Sequence, residues 1–365
     1  MKALILVGGF GTRLRPLTSN IPKPLVKFCG RPMVEWQIEA LVKIGVKEIV
    51  LAICYKDDLM KQFMKQMNDK YNISIVCSVE TEPLNTGGPI KLAEKYLRSS
   101  ESSDTKNKMF FVLNSDVICD YPFTKMIEFH RSKEADITVL VTRVENPSRY
   151  GIVVHDDKDL KVQKFVEKPQ EYVGDFINAG IYIFNERMLD KIELGNVSLE
   201  RDIFPSIAKE GGMYVMHLEN FWKDIGMPKD FIEATQILLK HFYNHGIKEV
   251  DDFNVIADHQ NFVGINLIHK HAIIDDESLI GPYCVIHQNV KIDKGVRVYN
   301  SAIEAGCHIG KYAHIFNSIL AKDVKVGRWV RIDKQSIIAE NVKIQNDILL
   351  LTHKAEPNDL IDYQP

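Results

Sequence analysis

A glycine-rich loop follows the first apolar run of the chain. Residues 3–7 are apolar, Gly8, Gly9 and Gly11 come next, and Arg13 and Lys23 lie in the stretch behind them. Glycines let backbone N–H groups approach a polyphosphate, and two cations would offset its negative charge. The spacing G-G-x-G differs from the Walker motif and from G-x-G-x-x-G. The loop therefore predicts a site for a nucleoside triphosphate or for a pyrophosphate leaving group.

Two aspartates could supply metal ligands. Asp116 ends the sequence Asn-Ser-Asp after an apolar run, and Asp224 lies in the sequence Trp-Lys-Asp-Ile-Gly. In phosphate chemistry, Mg²⁺ usually takes one or two carboxylates together with phosphate oxygens and water. Taken alone, each aspartate is also typical of a turn or a helix cap. The spacing does not establish whether the two carboxylates meet.

A third group of polar residues could bind a sugar phosphate. Glu167 and Lys168 end the apolar stretch of Phe-Val-Glu-Lys-Pro, and Asn178 lies in Ile-Asn-Ala-Gly. Glu167 could bind a pair of sugar hydroxyls, Lys168 the phosphate, and Asn178 a further hydroxyl. The alternative is a solvated Glu–Lys pair at the end of a strand, which would have no binding role.

Strand and helix patterns alternate in the part of the chain that must position these residues. The predicted strands are residues 3–7, 48–54, 73–79, 109–113, 137–144, 151–154 and 179–184. The predicted helices are residues 32–44, 57–68, 88–97 and 229–243, and the polar run 99–108 indicates a loop. This alternation predicts βαβ units and a Rossmann-like, mixed or mostly parallel sheet. Ligands of such sheets bind at the carboxyl ends of strands, where Gly8 and Asp116 lie.

The C-terminal part has a different period. From residue 268, an isoleucine, leucine or valine recurs about every six residues, with small or β-branched residues four positions later. A six-residue period is typical of the hexapeptide repeats of a parallel β-helix, in which three hexads make one coil. We therefore expect a C-terminal left-handed parallel β-helix. A solenoid has flat faces and open ends to cover, so we expect this domain to assemble oligomers.

Length and composition indicate a soluble two-domain protein. The chain has 365 residues, of which 45% are hydrophobic and 26% charged, and its formal net charge is −3. This composition excludes a disordered chain and gives no support for binding to nucleic acid or to an acidic membrane. We expect a catalytic domain over residues 1–243, a polar, irregular linker over 244–262 and a β-helix domain over 263–365.

The cysteines and the apolar segments indicate a cytoplasmic protein. The six cysteines are scattered and none forms a C-x-x-C pair, as expected for reduced, mostly buried thiols. The apolar start is too short for a signal peptide, and no window reaches the roughly 18 apolar residues that a membrane span needs.

The motifs occur in the order found in sugar-1-phosphate nucleotidyltransferases. They are the glycine-rich loop, Asn-Ser-Asp, Phe-Val-Glu-Lys-Pro, Ile-Asn-Ala-Gly and Trp-Lys-Asp-Ile-Gly. Within that family, the chain most resembles the GDP-mannose pyrophosphorylases (mannose-1-phosphate guanylyltransferases) of the eukaryotic catalytic beta-subunit type. The resemblance covers essentially the whole chain, including the predicted β-helix.

The resemblance implies an activity and its partners. An oxygen of mannose 1-phosphate would attack the α-phosphorus of GTP in line, giving GDP-mannose and pyrophosphate with the help of Mg²⁺. No protein nucleophile is required, so the protein would mainly position the reactants and neutralise their charge. The resemblance also implies a homo-oligomer and is compatible with a regulatory alpha-type subunit.

The resemblance further implies roles for individual residues. The catalytic residues would be Arg13 at the β- and γ-phosphates, Lys23 at the α-phosphate, and the Mg²⁺ ligands Asp116 and Asp224. The nucleotide would be bound by Leu6, Gly8, Gly9, Gly11, Thr12, Arg13, Glu82, Asn85 and Gly88, with the loop 82–89 against the base. The sugar phosphate would be bound by Asn114, Gly151, Glu167, Lys168 and Asn178.

Three other functions remain open from the sequence. The enzyme could use another base or glucose 1-phosphate, because sequence does not settle the stereochemistry of one hydroxyl. The chain could instead be a non-catalytic regulatory subunit that binds a nucleotide sugar, although such a scaffold does not need the charged residues above. The β-helix could be an acyltransferase, with His269, His287, His308 and His314 as candidate bases.

Overall fold

The computed structural model describes residues 1–9, 11–54, 58–99 and 108–362. These residues form two compact units, one of Met1–Gly9 and Met33–Lys223, the other of Phe10–Pro32 and Asp224–Pro365. The start of the predicted helix 57–68 and most of the predicted loop 99–108 lie outside the described residues. Within the described part of the chain, no helix is long and apolar enough to cross a membrane.

A mixed β-sheet forms the centre of the first unit. Its strands are β1 (Lys2–Val7), β2 (Glu48–Ile53), β3 (Ser74–Val79), β4 (Met109–Asn114), β5 (Ile137–Arg143), β6 (Gly151–His155), β7 (Val162–Glu167), β8 (Phe176–Asn185) and β9 (Met213–His217). Their order is β7-β6-β8-β4-β1-β2-β3, with β5 beside β8 and β9 beside β5. Strands β3, β2, β1 and β4 run parallel, and β8 runs antiparallel to β4.

Helices cover this sheet. They are α1 (Met33–Lys43), α2 (Asp58–Tyr71), α3 (Phe123–Ser132) and α4 (Phe204–Glu210), with short helices at Gly88–Leu92 and Glu94–Leu97. Because the parallel strands are covered on both faces, they are continuous apolar runs, and Leu4, Val50 and Val112 are buried in the core. The aromatic part of the core includes Tyr182 and Phe204, whose ring centroids are 5.3 Å apart.

Two features of the first unit differ from the sequence-based expectation. Helices α3 and α4 and strands β7 and β9 were not predicted from the sequence. The predicted helix 88–97 is divided at Ala93, whose ψ of −1° lies away from the helical value.

The second unit contains the β-helix, a long helix and the segment 10–32. Helix α5 spans Pro228–Asn244, and the short strands Lys27–Phe28 and Arg31–Pro32 pair with each other. The predicted linker is not irregular throughout: Glu249–Val250 and Phe253–Ile256 are strands, and the second pairs with Asn266–His269. The side chain of Phe253 is buried against the rings of His269 and His287, which explains why this polar stretch is ordered.

The β-helix has the predicted repeat. Parallel partners are 18 residues apart at Leu267 and Val285, and 17 apart at Val285 and Ala302. Three hexads therefore make one coil, and the 17-residue step comes from a one-residue deletion. The aliphatic anchor residues, such as Ile286 and Ile303, point into the solenoid and are buried. These observations confirm the fold class: a Rossmann-like mixed sheet followed by a left-handed parallel β-helix.

A buried histidine in α3 makes the stability of the first unit depend on pH. The Nδ1 atom of His130 lies 2.8 Å from Thr138 Oγ1. Burial, and to a smaller extent the charges of Arg187 and Arg131, lowers the pKa of His130 from 6.5 to about 4. The unfolded chain therefore takes up this proton at a higher pH than the folded chain. The contribution to stability is complete above about pH 6.5 and is lost as the pH falls towards 4, by at most ~3 kcal/mol.

The substitution His130→Gln should remove this dependence. We expect the difference in free energy of unfolding between wild type and variant, measured with urea, to become smaller between pH 7 and pH 4.5. The difference isolates His130, because every other titrating group is shared by the two proteins. A difference that stays constant over this range would contradict the prediction.

Candidate active site

The carboxyl ends of β1 and β4 lie side by side in the first unit. Leu6 pairs with Asn114 in the sheet, and the backbone N–H of Ser115 donates to the carbonyl of Leu6 at 3.1 Å. The turn after β4 is held by Gln37 of α1, whose Nε2 donates to the carbonyls of Asn114, at 2.7 Å, and Val117, at 3.0 Å. This anchoring brings Asp116 to the same edge of the sheet as Gly8 and Gly9, which directly follow β1.

Strand β8 adds polar groups at this edge. Asn178 Nδ2 donates to the hydroxyl of Tyr182 at 2.7 Å, and Asn178 Oδ1 accepts from the N–H of Gly180 at 3.0 Å. A Cβ atom on Gly180 would lie only 2.7 Å from Nδ2 of Asn114. The structure therefore brings Asn114 and Asn178, two of the predicted sugar-phosphate residues, next to one another.

Several carboxylates affect the pKa of the buried phenol of Tyr182. Burial, together with the charges of Glu200, Glu167 and Asp116, raises the pKa of Tyr182 well above 10, whereas the hydrogen bond from Asn178 opposes this shift. Tyr182 is thus hydrogen-bonded to the predicted sugar ligand Asn178 and affected by the charges of Glu167 and Asp116. Sequence reasoning missed it, because it reads as one more residue of an apolar strand.

Glu167 and Lys168 lie where β7 ends. Glu167 pairs with Gly151 across the antiparallel strands β7 and β6. A Cβ on Gly151 would lie 2.8 Å from Glu167 Oε2, so a glycine is needed for the carboxylate to occupy this place. The amine of Lys168 lies 3.0 Å from Glu167 Oε1, and the lysine side chain is 65% exposed. An exposed amine beside a half-buried carboxylate is accessible to an incoming phosphate.

The loop that contains Glu82, Asn85 and Gly88 is fixed from one side. Glu82 and Asn85 are exposed. The N–H of Gly87 donates to the carbonyl of Val197 at 2.7 Å. Gly88 packs so closely that a Cβ there would lie 2.1 Å from the carbonyl oxygen of Gly195. The loop is therefore held against residues 195–197 and presents its polar residues to solvent.

Glu200 is a second residue that sequence reasoning missed. The hydroxyl of Thr86 donates to Glu200 Oε2 at 2.6 Å, and Ser198 Oγ donates to the same oxygen at 2.9 Å. Thr86 Oγ1 in turn accepts from the N–H of Leu199 at 2.9 Å. Glu200 thereby holds the loop around Asn85 against Ser198 and Leu199. The contacting residues are 114 positions apart, so no spacing rule could have found the pair.

Trp222 packs beside β8. Its Nε1 donates to the carbonyl of Ala179 at 2.9 Å, and its ring meets Tyr150 edge to face at 5.4 Å.

The second unit holds the remaining predicted residues. Lys23 is buried, and a Cβ on Gly11 would lie 3.0 Å from the Cβ of Lys23. Gly226 faces both Arg13 and Asp224: a Cβ there would lie 3.2 Å from Arg13 Nη2 and 3.4 Å from Asp224 Oδ1. This unit thus brings Arg13 together with Asp224, and Gly11 together with Lys23. Thr12 begins a short helical turn, Thr12–Leu14, and is exposed.

The histidines of the β-helix have local partners. His287 Nε2 lies 3.1 Å from Glu304 Oε1, and His308 Nε2 lies 2.9 Å from Asp293 Oδ2. His269 Nδ1 accepts from the N–H of His271 at 3.0 Å. Burial, with Arg297 and Arg331, lowers the pKa of His314. These contacts do not assemble the four histidines into one site.

The carboxylates among the described residues are of the kind that the predicted Mg²⁺ site needs. They contain no group of three or more His, Cys, Asp or Glu side chains that could hold an ion on their own. Mg²⁺ does not need one, because it binds through one or two carboxylates when a substrate supplies phosphate oxygens. The half-buried carboxylates of Asp116 and Asp224 are hard oxygen donors of the required kind.

Two known family models match most of the chain. A model of the family "Nucleotidyl transferase" matches residues 2–241. The chain belongs to this nucleotidyl transferase family. A second model, "GMPPB C-terminal domain", matches residues 262–364.

Curated relatives of this nucleotidyl transferase are similar over nearly their whole length. The chain is 43% identical over 366 residues to "Mannose-1-phosphate guanylyltransferase 1" of Arabidopsis thaliana, covering 99% of this chain and 98% of the relative. It is 44% identical over 361 residues to "Mannose-1-phosphate guanyltransferase" of Hypocrea jecorina, covering 97% of each. It is 43% identical over 361 residues to "Mannose-1-phosphate guanylyltransferase catalytic subunit beta" of Dictyostelium discoideum, covering 99% and 97%.

Solved structures share the fold of the nucleotidyl transferase part. Two crystal structures of HddC from Yersinia pseudotuberculosis, one of them complexed with GMP-PN, each have 31% sequence identity and a TM-score of 0.52. Each match covers 64% of this chain and 97% of the HddC chain.

Proposed function

We propose that this chain is a mannose-1-phosphate guanylyltransferase, which converts GTP and mannose 1-phosphate to GDP-mannose and pyrophosphate. The observation that carries the proposal is the similarity of 43–44% over nearly the full length of relatives with this name. The GMPPB-type C-terminal domain supports it, because this domain accompanies the transferase domain in the same chain.

The nucleotide would be bound by the end of β1, the glycine-rich loop and the loop 82–89. In this proposal Leu6, Gly8 and Gly9 contact the nucleotide from the end of β1, and the exposed side chains of Glu82 and Asn85 face the base. Gly11 and Thr12 cradle the phosphates, and Gly88 keeps the base loop close to residues 195–197. The contacts of the base loop with Val197 and Gly195 support this role, because they fix its backbone before any ligand binds.

The sugar phosphate would be bound by the polar residues at the ends of β4, β7 and β8. In this proposal, Glu167 accepts hydrogen bonds from sugar hydroxyls, Asn178 forms a hydrogen bond with a further hydroxyl, and Lys168 binds the phosphate. Asn114 and Gly151 complete the site. The position of Lys168 supports this, since its exposed amine is held beside Glu167.

Charge neutralisation would supply most of the rate. Arg13 binds the β- and γ-phosphates, and Lys23 offsets the charge at the α-phosphate while the sugar phosphate attacks in line. The family generally uses a divalent metal. Asp116 and Asp224 would hold it, and Mg²⁺, when bound, would neutralise phosphate charge and orient the phosphate oxygens.

The assembly and location of the protein are also proposals. We expect residues 1–243 to form the catalytic domain, 244–262 a connecting segment and 263–365 the β-helix domain that makes a homo-oligomer. The exposed ring of Trp329, which stacks on the half-buried ring of Tyr312, supports an interface on the β-helix. The "catalytic subunit beta" in the name of one relative is compatible with a regulatory partner. Mostly buried free cysteines suit a reducing cytoplasm.

The test is pyrophosphate release in the presence of Mg²⁺. Mannose 1-phosphate and glucose 1-phosphate are each combined with GTP, ATP, UTP and dTTP. We expect selective turnover of GTP with mannose 1-phosphate. Preference for another pair would overturn the substrate but keep the reaction type. A folded protein that binds GDP-mannose but turns over no pair would favour the regulatory-subunit function instead.

A further inference from the structure

A polar cavity lies in the first unit, at the opposite edge of the sheet from Asp116. It has a volume of about 260 Å³ and is lined by Met109, His130, Arg131, Glu134, Asn185 and Arg187. Met109 begins β4, whose last residue is Asn114, and Asn185 pairs with Met109 at the end of β8. At about 3.3 Å per residue, the cavity is some 17 Å from the candidate active site. We call it the His130 cavity.

The imidazole of His130 lines this cavity and has one buried nitrogen without a hydrogen-bond partner among the described residues. The residue is 3% exposed, and its Nδ1 lies 2.8 Å from Thr138 Oγ1. Its Nε2 is buried and makes no hydrogen bond with any residue that the structure describes. Buried polar atoms in native proteins are nearly always paired, so Nε2 is suited to a ligand in the cavity.

Two arginines direct positive charge at the same ring. Arg131 follows His130 at the end of α3, and Arg187 follows β8, so the two guanidinium groups come from different elements. Both contribute, after burial, to lowering the pKa of His130 to about 4, which shows that their charges reach the ring. The imidazole is therefore neutral at pH 7. If Thr138 donates to Nδ1, the proton lies on Nε2, which then donates into the cavity.

The nearby negative groups do not cancel this arrangement. Asp136 accepts from Nε of Arg187, and the pair leaves the remaining N–H groups of that guanidinium to other acceptors. Glu134 is exposed to solvent. The last carbonyls of α3 are capped, because His130 O accepts from Ala135 N at 3.2 Å and Arg131 O from Glu134 N at 3.1 Å.

We propose that the His130 cavity binds a phosphate-bearing small molecule, with its phosphoryl group between Arg131, Arg187 and Nε2 of His130. Three donor groups around one cavity match the three oxygens of a phosphoryl group better than the two oxygens of a carboxylate. The volume also leaves room for an organic portion, because a water molecule occupies only about 30 Å³ in the liquid. The site is separate from the nucleotide site and does not depend on its substrate.

The experiment follows the histidine ring signals in ¹H–¹⁵N NMR spectra of the full chain at pH 7.5 while inorganic phosphate is added. The His130 signal is assigned by its loss in His130→Gln. We expect this signal to move and saturate with phosphate. The exposed-arginine variants Arg131→Gln and Arg187→Gln should each weaken the apparent affinity roughly tenfold, whereas Arg328→Gln, an exposed arginine of the β-helix, should not.

Further measurements separate this site from the candidate active site and from general salt effects. The response of His130 should persist in Arg13→Gln, which alters the nucleotide loop. An unmoved His130 signal, or an equal response to sodium chloride at matched ionic strength, would overturn the proposal as an adventitious ion effect. Acetate binding as tightly as phosphate would overturn the choice of a phosphoryl group.

Discussion

The substitution Asp116→Asn is expected to lower kcat by about 10²–10³ while the protein stays folded. Asparagine has nearly the same shape as aspartate, so the change removes the negative charge and replaces one of the two acceptor oxygens with an NH2 group. The turn that carries Asp116 should survive, because it is held through the backbone carbonyls of Asn114 and Val117 by Gln37. A loss of charge at a metal site should also raise the Mg²⁺ concentration needed for half-maximal turnover.

The measurement is steady-state pyrophosphate release as a function of Mg²⁺ concentration. The matched control is Asp120→Asn, which changes an aspartate four positions later that accepts a hydrogen bond from Asn220. We expect the control to keep its turnover within about threefold of wild type, as for a group outside the reaction. Turnover of Asp116→Asn close to wild type at every Mg²⁺ concentration would exclude Asp116 as a metal ligand.

The parts of the fold that follow a strong period could be predicted from the sequence. The apolar runs of β1, β2, β3 and β4 were recognisable because parallel strands are buried on both faces. The β-helix was recognisable because its anchor residues, such as Ile286 and Ile303, recur once in each hexad and point inward. Both patterns arise because equivalent positions of each strand or hexad are buried and are therefore occupied by apolar residues.

The candidate site was only partly predictable, because its contacts depend on the tertiary fold. Glycines and charged residues beside strand ends could be found, since their types are unusual there. Glu200 could not, because its partner Thr86 lies in a distant loop. Tyr182 looked like core, and only the carboxylates of Asp116, Glu167 and Glu200 around it give it a place in the site. The strands Glu249–Val250 and Phe253–Ile256 were not predicted, because they are short and lie in a mostly polar stretch.

The nucleotide loop is divided between the two units, which makes Arg13 a sharp test of the proposed function. Gly8 and Gly9 belong to the first unit, whereas Arg13 belongs to the second, where it lies beside Gly226 and Asp224. If Arg13 binds the β- and γ-phosphates, its charge acts on the group that leaves as pyrophosphate. That charge grows in the transition state, so Arg13 should contribute more to turnover than to the binding of GDP-mannose, which lacks the leaving group.

The substitution Arg13→Gln is therefore expected to lower kcat/KM for GTP by about 10²–10³, with a much smaller effect on the affinity for GDP-mannose. In the reverse reaction of Arg13→Gln, the KM for pyrophosphate should rise. The variant Arg13→Lys should keep part of the activity, because lysine has the positive charge of arginine but lacks its planar guanidinium group. Arg15→Gln is the matched control, since Arg15 is also exposed and only two residues away. Equal losses of kcat/KM in Arg13→Gln and Arg15→Gln would mean that the loop acts through its general positive charge. An equal loss of affinity for GTP and GDP-mannose in Arg13→Gln would place Arg13 at the α-phosphate or outside the phosphate site. A selective loss with GTP and pyrophosphate assigns the leaving group to Arg13, because no other ligand of the reaction carries those two phosphates.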